Sequence, residues 1–181
     1  MAPRLQERYQ TAIVNSFIKE HGCKNRMHVP ILKKVVVSMG VKEGAADVKV
    51  IEQASQELAT ITGQKPLVTH AKKSISAFKL REGQPIGLKV TLRRARMFEF
   101  VDRLFNVAMP RIRDFRGFPE TAFDAQGNYN LGIQEQLIFP EIVFDDVRRV
   151  QGMNITFVTS TRDKKMAKAL LEYLGLPFKK G

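Results

Sequence analysis

The sequence predicts an α+β fold of two layers: a twisted antiparallel sheet, helices on one face, and a basic, concave open face on the other. Three observations carry that prediction. Segments with a helical period alternate along the chain with segments of period two. Residues 62–96 hold nine Lys or Arg against one acid, Glu82, so this block supplies +8 of a formal charge of +12. Inside the block, Leu88, Val90 and Leu92 point one way along a strand while Lys89, Thr91 and Arg93 point the other. One side of that strand belongs to a core and the other to solvent.

Taken in order, residues 4–21 read as an amphipathic helix, with Leu5, Tyr9, Ile13, Phe17 and Ile18 on its apolar stripe and Gly22 as its stop. Residues 33–39 are β-branched and alternate, so Val35, Val37 and Met39 share a buried face opposite Lys34 and Ser38. A second helix is expected over 47–61, with Asp47 as N-cap, Gly63 as C-cap and Val48, Ile51, Leu58 and Ile61 turned inward. Residues 66–70 can pair with the strand over 88–93, which makes a ribbon whose framework, Leu67, Val68, Leu88, Val90 and Leu92, is held by burial. Its connection, residues 71–85, carries Lys72, Lys73, Lys79 and Arg81 around Gly83 and is expected to be mobile until an anion orders it.

After the ribbon, residues 96–109 form an apolar helical pattern through Met97, Phe98, Val101, Leu104, Phe105 and Ala108, ended by Pro110. Residues 111–130 are punctuated by Gly, Pro and Asn and read as a structured excursion, with Gly127 and Asn128 marking a turn. Residues 132–147 mix apolar and acidic side chains. Residues 153–160 then alternate Ile155, Phe157 and Thr159 against Asn154, Thr156 and Ser160, as a half-buried strand does. The last helix is expected over 163–174, with Met166, Leu170 and Leu174 inward and Lys164, Lys165 and Lys168 outward. The open face of the sheet then presents Ser38, Lys89, Thr91, Arg93, Asn154 and Thr156.

At 181 residues the chain fits one domain spanning residues 1–181, large enough to bury roughly 70% of its unfolded surface. The single cysteine, Cys23, allows no internal disulfide and fits a reducing cytoplasm. No apolar leader is expected from the charged N-terminus, and no stretch has the length of a membrane span, so no membrane partner is expected. A pI near 10.0 favours polyanionic partners. The charge is also unevenly placed: residues 118–147 carry six acids and no Lys or Arg, whereas residues 148–181 return +6.

Phosphate-loop and dinucleotide glycine motifs are absent, and no Cys/His spacing suits zinc, so neither a cofactor nor a zinc site is expected. Glu141, Asp145 and Asp146 offer carboxylates for Mg²⁺ in a nuclease, but adjacent Asp145 and Asp146 point different ways, and a solvated acidic face is the better reading. A sequence-specific DNA regulator would place its basic residues on a recognition helix, and here they lie on a ribbon. The twelve Phe fall mainly in helical stripes and in the excursion, leaving the open face without a stacking ring. Such a face reads folded RNA through phosphate, 2′-hydroxyl and minor-groove shape.

Five motifs then carry a resemblance. They are T-G-Q-K-P at 62–66, K-V-T-L-R at 89–93, P-R-I-R-D-F-R-G at 110–117, G-N-Y-N-L-G at 127–132 and F-P-E-I at 139–142. In this order and spacing the chain closely resembles the family of bacterial large-subunit ribosomal protein number five, the 5S rRNA binder of the central protuberance, from the first helix to the terminal P-F-K-K. The resemblance implies no enzyme activity and a structural role in the cytoplasmic ribosome. It implies 5S rRNA contact by Ser38, Gln64, Thr91 and Arg93, to which the basic Lys65 and Lys89 beside them are added as candidates, and contact of the ribbon loop, about residues 72–85, with P-site tRNA, for which the loop's cations Lys72, Lys73, Lys79 and Arg81 are the candidates. A bridge to a protein of the small-subunit head is implied as well, and the acidic character of residues 118–147 makes Glu141, Asp145 and Asp146 the candidates for it, facing a basic partner. Further partners implied are 23S rRNA and other 5S rRNA-binding ribosomal proteins. Ser38 departs from the Asn that many members carry, which shortens the reach at that position.

Overall fold

The computed structural model describes residues 2–23, 25–45, 47–113, 115–144, 147 and 149–179. The fold is α+β and two-layered, built on a five-stranded antiparallel sheet with strand order β2-β3-β1-β5-β4. The strands are β1 (Leu32–Gly40), β2 (Leu67–His70), β3 (Pro85–Leu92), β4 (Tyr129–Ile133) and β5 (Met153–Thr159). The helices are α1 (Arg4–Arg8), α2 (Val14–His21), α3 (Val48–Thr62), α4 (Arg94–Arg103) and α5 (Lys164–Leu174). The chain divides into two compact units, one of residues 1–35, 92–131 and 156–181, the other of residues 36–91 and 132–155.

In the first unit the helix expected over 4–21 forms as α1 and α2 joined by a π turn, Tyr9–Ile13. A π turn holds an extra residue, which moves the apolar stripe around the axis and brings Val14 inward with Leu5, Ile13 and Phe17. Gly22 ends α2 at φ 62, a left-handed conformation that suits a residue without Cβ. α4 starts at Arg94, two residues ahead of expectation, and its buried stripe continues through a second π turn, Leu104–Ala108, into a 3-10 turn carrying Pro110. Phe98 is half-buried and lies 6.3 Å from Tyr9, so it flanks the core instead of filling it. In α5, Asp163 caps the N-terminus by accepting from the Lys165 N–H at 2.9 Å. Leu170 and Leu174 are buried as expected, Met166 is half-buried, and Ala167 and Leu171 complete the stripe.

The excursion over 111–130 is tied down locally. Phe118 exchanges backbone hydrogen bonds with Pro177 and Lys179, and the Tyr129 hydroxyl donates to the Pro119 carbonyl at 2.9 Å. Gly127 sits at φ 75 where a Cβ would strike the Thr161 carbonyl. β4, unforeseen in the sequence, follows at once: Tyr129, Leu131 and Ile133 are buried and Asn130 and Gly132 exposed.

The second unit packs α3 as foreseen. The Asp47 carboxylate accepts from the Lys49 N–H at 2.9 Å, Gly63 closes the helix at φ 66, and Ile51, Ala54, Leu58 and Ile61 are buried. Val48 is a correction: in the first turn it projects into solvent, 59% exposed. Gln136, fully buried, holds three segments together. Its amide donates to Glu57 of α3 at 3.2 Å and to the Arg149 carbonyl at 2.6 Å, and its oxygen accepts from the Gln151 N–H. Both polar atoms of its side chain are thereby satisfied, as burial demands.

Burial pushes the phenol of Tyr9, which donates to the Pro30 carbonyl at 2.9 Å, up to about 12, and burial alone does the same to Tyr129. A raised folded pKa means that the stabilisation is complete below the unfolded value near 10.0 and is lost as the pH climbs through about 12. In an alkaline titration of phenolate absorbance, Tyr9→Phe and Tyr129→Phe should each remove a late step. Loss of a step near pH 10.0 would contradict the burial described.

Candidate nucleic-acid interface

β3 sets out the site. Leu88, Val90 and Leu92 are essentially inaccessible, while Lys89 is exposed and Thr91 half-exposed on the opposite side. The strand lies so near β1 that a Cβ on Gly87 would come within 2.6 Å of the Met39 carbonyl oxygen, which restricts the position to glycine. β2 pairs with β3 in antiparallel register, Leu67 opposite Lys89 and Val68 opposite Leu88. Cross-strand partners share a face, so Leu67 stands on the cationic side and is 69% exposed. It therefore leaves the buried framework in which the sequence pattern placed it.

The T-G-Q-K-P turn delivers Gln64 to the same strand. The Thr62 hydroxyl is buried, donates to the Leu58 carbonyl at 2.7 Å and accepts from the Gln64 N–H at 3.4 Å. With Gly63 in the left-handed region, the chain reverses and the Gln64 amide donates to the Thr91 carbonyl at 3.4 Å, keeping its oxygen as an acceptor. Lys65 beside it is exposed. Ser38 is half-buried, as expected of a central strand, and its hydroxyl donates to the Asn154 carbonyl at 3.4 Å. Unit two thus offers Ser38, Gln64, Lys65, Lys89 and Thr91 as outward groups. In unit one, Arg93 is extended and exposed at the N-cap of α4, followed by exposed Arg94 and Arg96. Arg94 adopts φ 52, a costly conformation for a residue with a Cβ, at the bend from strand to helix.

The connection over 71–85 has a hydrogen-bonded frame of its own. Ala71 bonds Gln84 and Gly83, and the His70 ring nitrogen lies 3.0 Å from the Gly83 carbonyl oxygen. Farther out Ile75 and Leu80 exchange a pair of bonds at 2.9 and 3.1 Å, closing a four-residue tip. The Ser74 hydroxyl accepts from the Glu82 N–H at 3.0 Å. Lys72, Lys73, Lys79 and Arg81 all project outward from this frame. Among the described residues none of these four, nor Lys65, Lys89 or Arg93, has a carboxylate partner. Cations held together without counter-charges concentrate anions, and neutral amide and hydroxyl groups among them add directional contacts.

The acidic stretch divides by use. Glu120 accepts from Lys168 at 2.6 Å. Burial works to raise the Asp124 pKa, but hydrogen bonds from the Asn128 side chain and from the backbone N–H groups of Asn128 and Gln126 outweigh it and hold the carboxyl below its ordinary value. Both acids serve unit one internally. Glu141 is half-buried and lines an open groove of about 550 Å³ with Lys49, Glu52 and Glu57 of α3 and with Ile142 and Val143. Asp145 and Asp146 lie outside the described residues.

Residues 25–81 match the family described as Ribosomal protein L5, and residues 85–178 match the ribosomal L5P family C-terminus. A "Large ribosomal subunit protein uL5" of Clostridium tetani is 52% identical over 178 residues, covering 98% of this chain and 99% of that protein. Proteins of the same name from Caldanaerobacter subterraneus and Trichlorobacter lovleyi are 54% and 53% identical, each covering at least 97% of this chain and 98% of the relative.

The register assigns different energetic roles to two leucines on paired strands. Leu67→Ala should shift stability by no more than about 0.5 kcal/mol, as for an exposed site. Leu88→Ala should cost about 2–5 kcal/mol, as in a close-packed core. Denaturant midpoints measure both, and a large loss at Leu67 would mean that the face is covered.

Proposed function

From the premise that this chain belongs to the ribosomal protein L5 family, and so is a structural, non-enzymatic constituent of the large ribosomal subunit, we propose three finer roles. The first is binding of 5S rRNA, and with it attachment of that RNA to the central protuberance, by Ser38, Gln64, Lys65, Lys89, Thr91 and Arg93. The second is contact with P-site tRNA by Lys72, Lys73, Lys79 and Arg81 on the β2–β3 loop. The third is a bridge to a basic protein of the small-subunit head by Glu141, Asp145 and Asp146. The proposed setting is the cytoplasmic ribosome, beside 23S rRNA and other 5S rRNA-binding proteins.

One observation carries the first role: on the outward side of β3, Lys89, which has no carboxylate partner among the described residues, stands with Thr91 and with Gln64, whose amide the T-G-Q-K-P turn brings to the Thr91 carbonyl. Cations contribute by releasing counterions from phosphate, roughly 0.7–0.9 ion for each neutralised phosphate. Neutral groups contribute through fixed hydrogen bonds, which salt affects little. The open face has no ring to intercalate, which suits a folded RNA read by its backbone and shallow groove. For the bridge, the supporting feature is the absence of Lys and Arg from residues 118–147, since like charges repel phosphate and draw a basic surface.

Binding of 5S rRNA across a salt series tests the first role. Arg93→Ala should weaken binding and lower the slope by about one ion. Thr91→Ala and Gln64→Ala should weaken it with the slope unchanged. Parental affinity in Thr91→Ala would remove the open face from the RNA contact.

The bridge is tested by a double variant, Asp145→Lys with Asp146→Lys. Its 5S rRNA binding should persist while subunit association at low Mg²⁺ falls. Unchanged association would count against the bridge.

A further inference from the structure

Phe78 is the side chain in the loop that its cations leave unexplained. It is 74% exposed and takes part in no ring contact among the described residues. Solvent exposure of a whole aromatic side chain forgoes burial that a bound partner can restore. The frame holds it there. The Phe78 N–H donates to the Ile75 carbonyl at 3.2 Å and the Lys79 N–H to Ser76 at 3.0 Å, while Lys79 at φ 51 turns the chain back toward Leu80. Phe78 is thus on a hydrogen-bonded four-residue tip. Its neighbours along the chain, Ser74, Ser76, Lys79, Leu80 and Arg81, line an open hollow of about 360 Å³ that combines two hydroxyls with two cations. A ring beside cations and hydroxyls matches one ligand chemistry closely: a nucleotide whose base is unpaired, with the base on the ring and the phosphate on the cations.

We propose that Phe78 stacks on an unpaired, outward-facing base of the RNA met by the β2–β3 loop, and that the hollow lined by Lys79 and Arg81 takes the phosphate of that nucleotide. This rests on the reading of the loop as a tRNA contact and deepens it. The cations supply attraction common to any RNA, whereas the ring selects RNA that displays a base. A fully paired helix keeps its bases stacked internally and offers Phe78 nothing to cover.

The chain has no Trp, so Phe78→Trp places a single fluorescent reporter at the tip of the full-length protein. Its emission should be quenched by a deacylated tRNA transcript and not by fully paired duplex RNA of equal length. Phe78→Ala should weaken tRNA binding about ten- to a hundredfold with an unchanged salt slope, and Phe78→Tyr should restore it. Since the side chain is exposed, its unfolding midpoint should match the parent. Equal quenching by duplex RNA, or parental tRNA affinity in Phe78→Ala, overturns the stacking. A variant with Lys72, Lys73, Lys79 and Arg81 changed to Ser separates the two ideas: if it loses tRNA affinity while Phe78→Ala does not, only the stacking fails. If it keeps full affinity, the loop is not the tRNA surface at all.

Discussion

Everything proposed for the surface depends on β3 keeping its two faces apart. Leu88, Val90 and Leu92 are buried on one side, and Lys89 and Thr91 look outward from the other. A slip of one residue would exchange the sets, burying an ammonium and exposing three aliphatic side chains. Burial of those three is worth about 1.5–3 kcal/mol each. Repulsion among exposed cations in salt is weaker, since exposed charge pairs contribute about 0–1 kcal/mol. The apolar face therefore sets the register and the cationic face accepts the position it is given. Gly87 adds a steric check, because only a residue without a Cβ tolerates the approach of the Met39 carbonyl.

Much of this was legible wherever a local signal and a periodic pattern coincided. The Asp47 and Asp163 caps, the Gly22 and Gly63 stops and the alternation in β1, β3 and β5 all act over a few residues, so the sequence displays them directly. β4 was hidden because five residues containing Gly132 and Asn130 give too little alternation to rise above the turn signals around them. The π turns were hidden for a different reason: an apolar stripe survives the insertion of one residue, merely rotating, and its period remains helical. Leu67 shows the limit of reading a strand alone. Its face is decided by which β3 residue stands opposite, a relation between strands that no property of residues 66–70 contains.

The candidate surface was legible in its charges and illegible in its geometry. An excess of Lys and Arg over residues 62–96 is visible in composition because attraction of a polyanion depends on the number of cations. The orientation of Gln64 depends on the Thr62 hydroxyl, the left-handed Gly63 and the Thr91 carbonyl acting together. The acidic stretch shows the converse error of composition: it counts Glu120 and Asp124 as surface charge, although one is engaged by Lys168 and the other by its own turn. Phe78 escaped because a single ring outside any periodic stripe carries no pattern.

The hydrogen-bonded frame also changes the energetics of the loop. A connection with no internal bonds would lose roughly 1–2 kcal/mol of backbone entropy for every residue ordered on binding. Here the bonds between Ala71 and Gln84 and between Ile75 and Leu80 close the ribbon in two places, so part of that cost is met during folding. What remains to be ordered is chiefly the long Lys and Arg side chains, at about 0.5–1.5 kcal/mol for each one immobilised. Four cations can be drawn to phosphate without being fixed in one rotamer, which favours rapid, salt-sensitive encounter over tight retention. An aromatic ring has fewer torsions to lose and is already held in solvent by the tip. The cations thus suit arrival at an RNA surface, and the ring suits the choice of where on that surface the loop comes to rest.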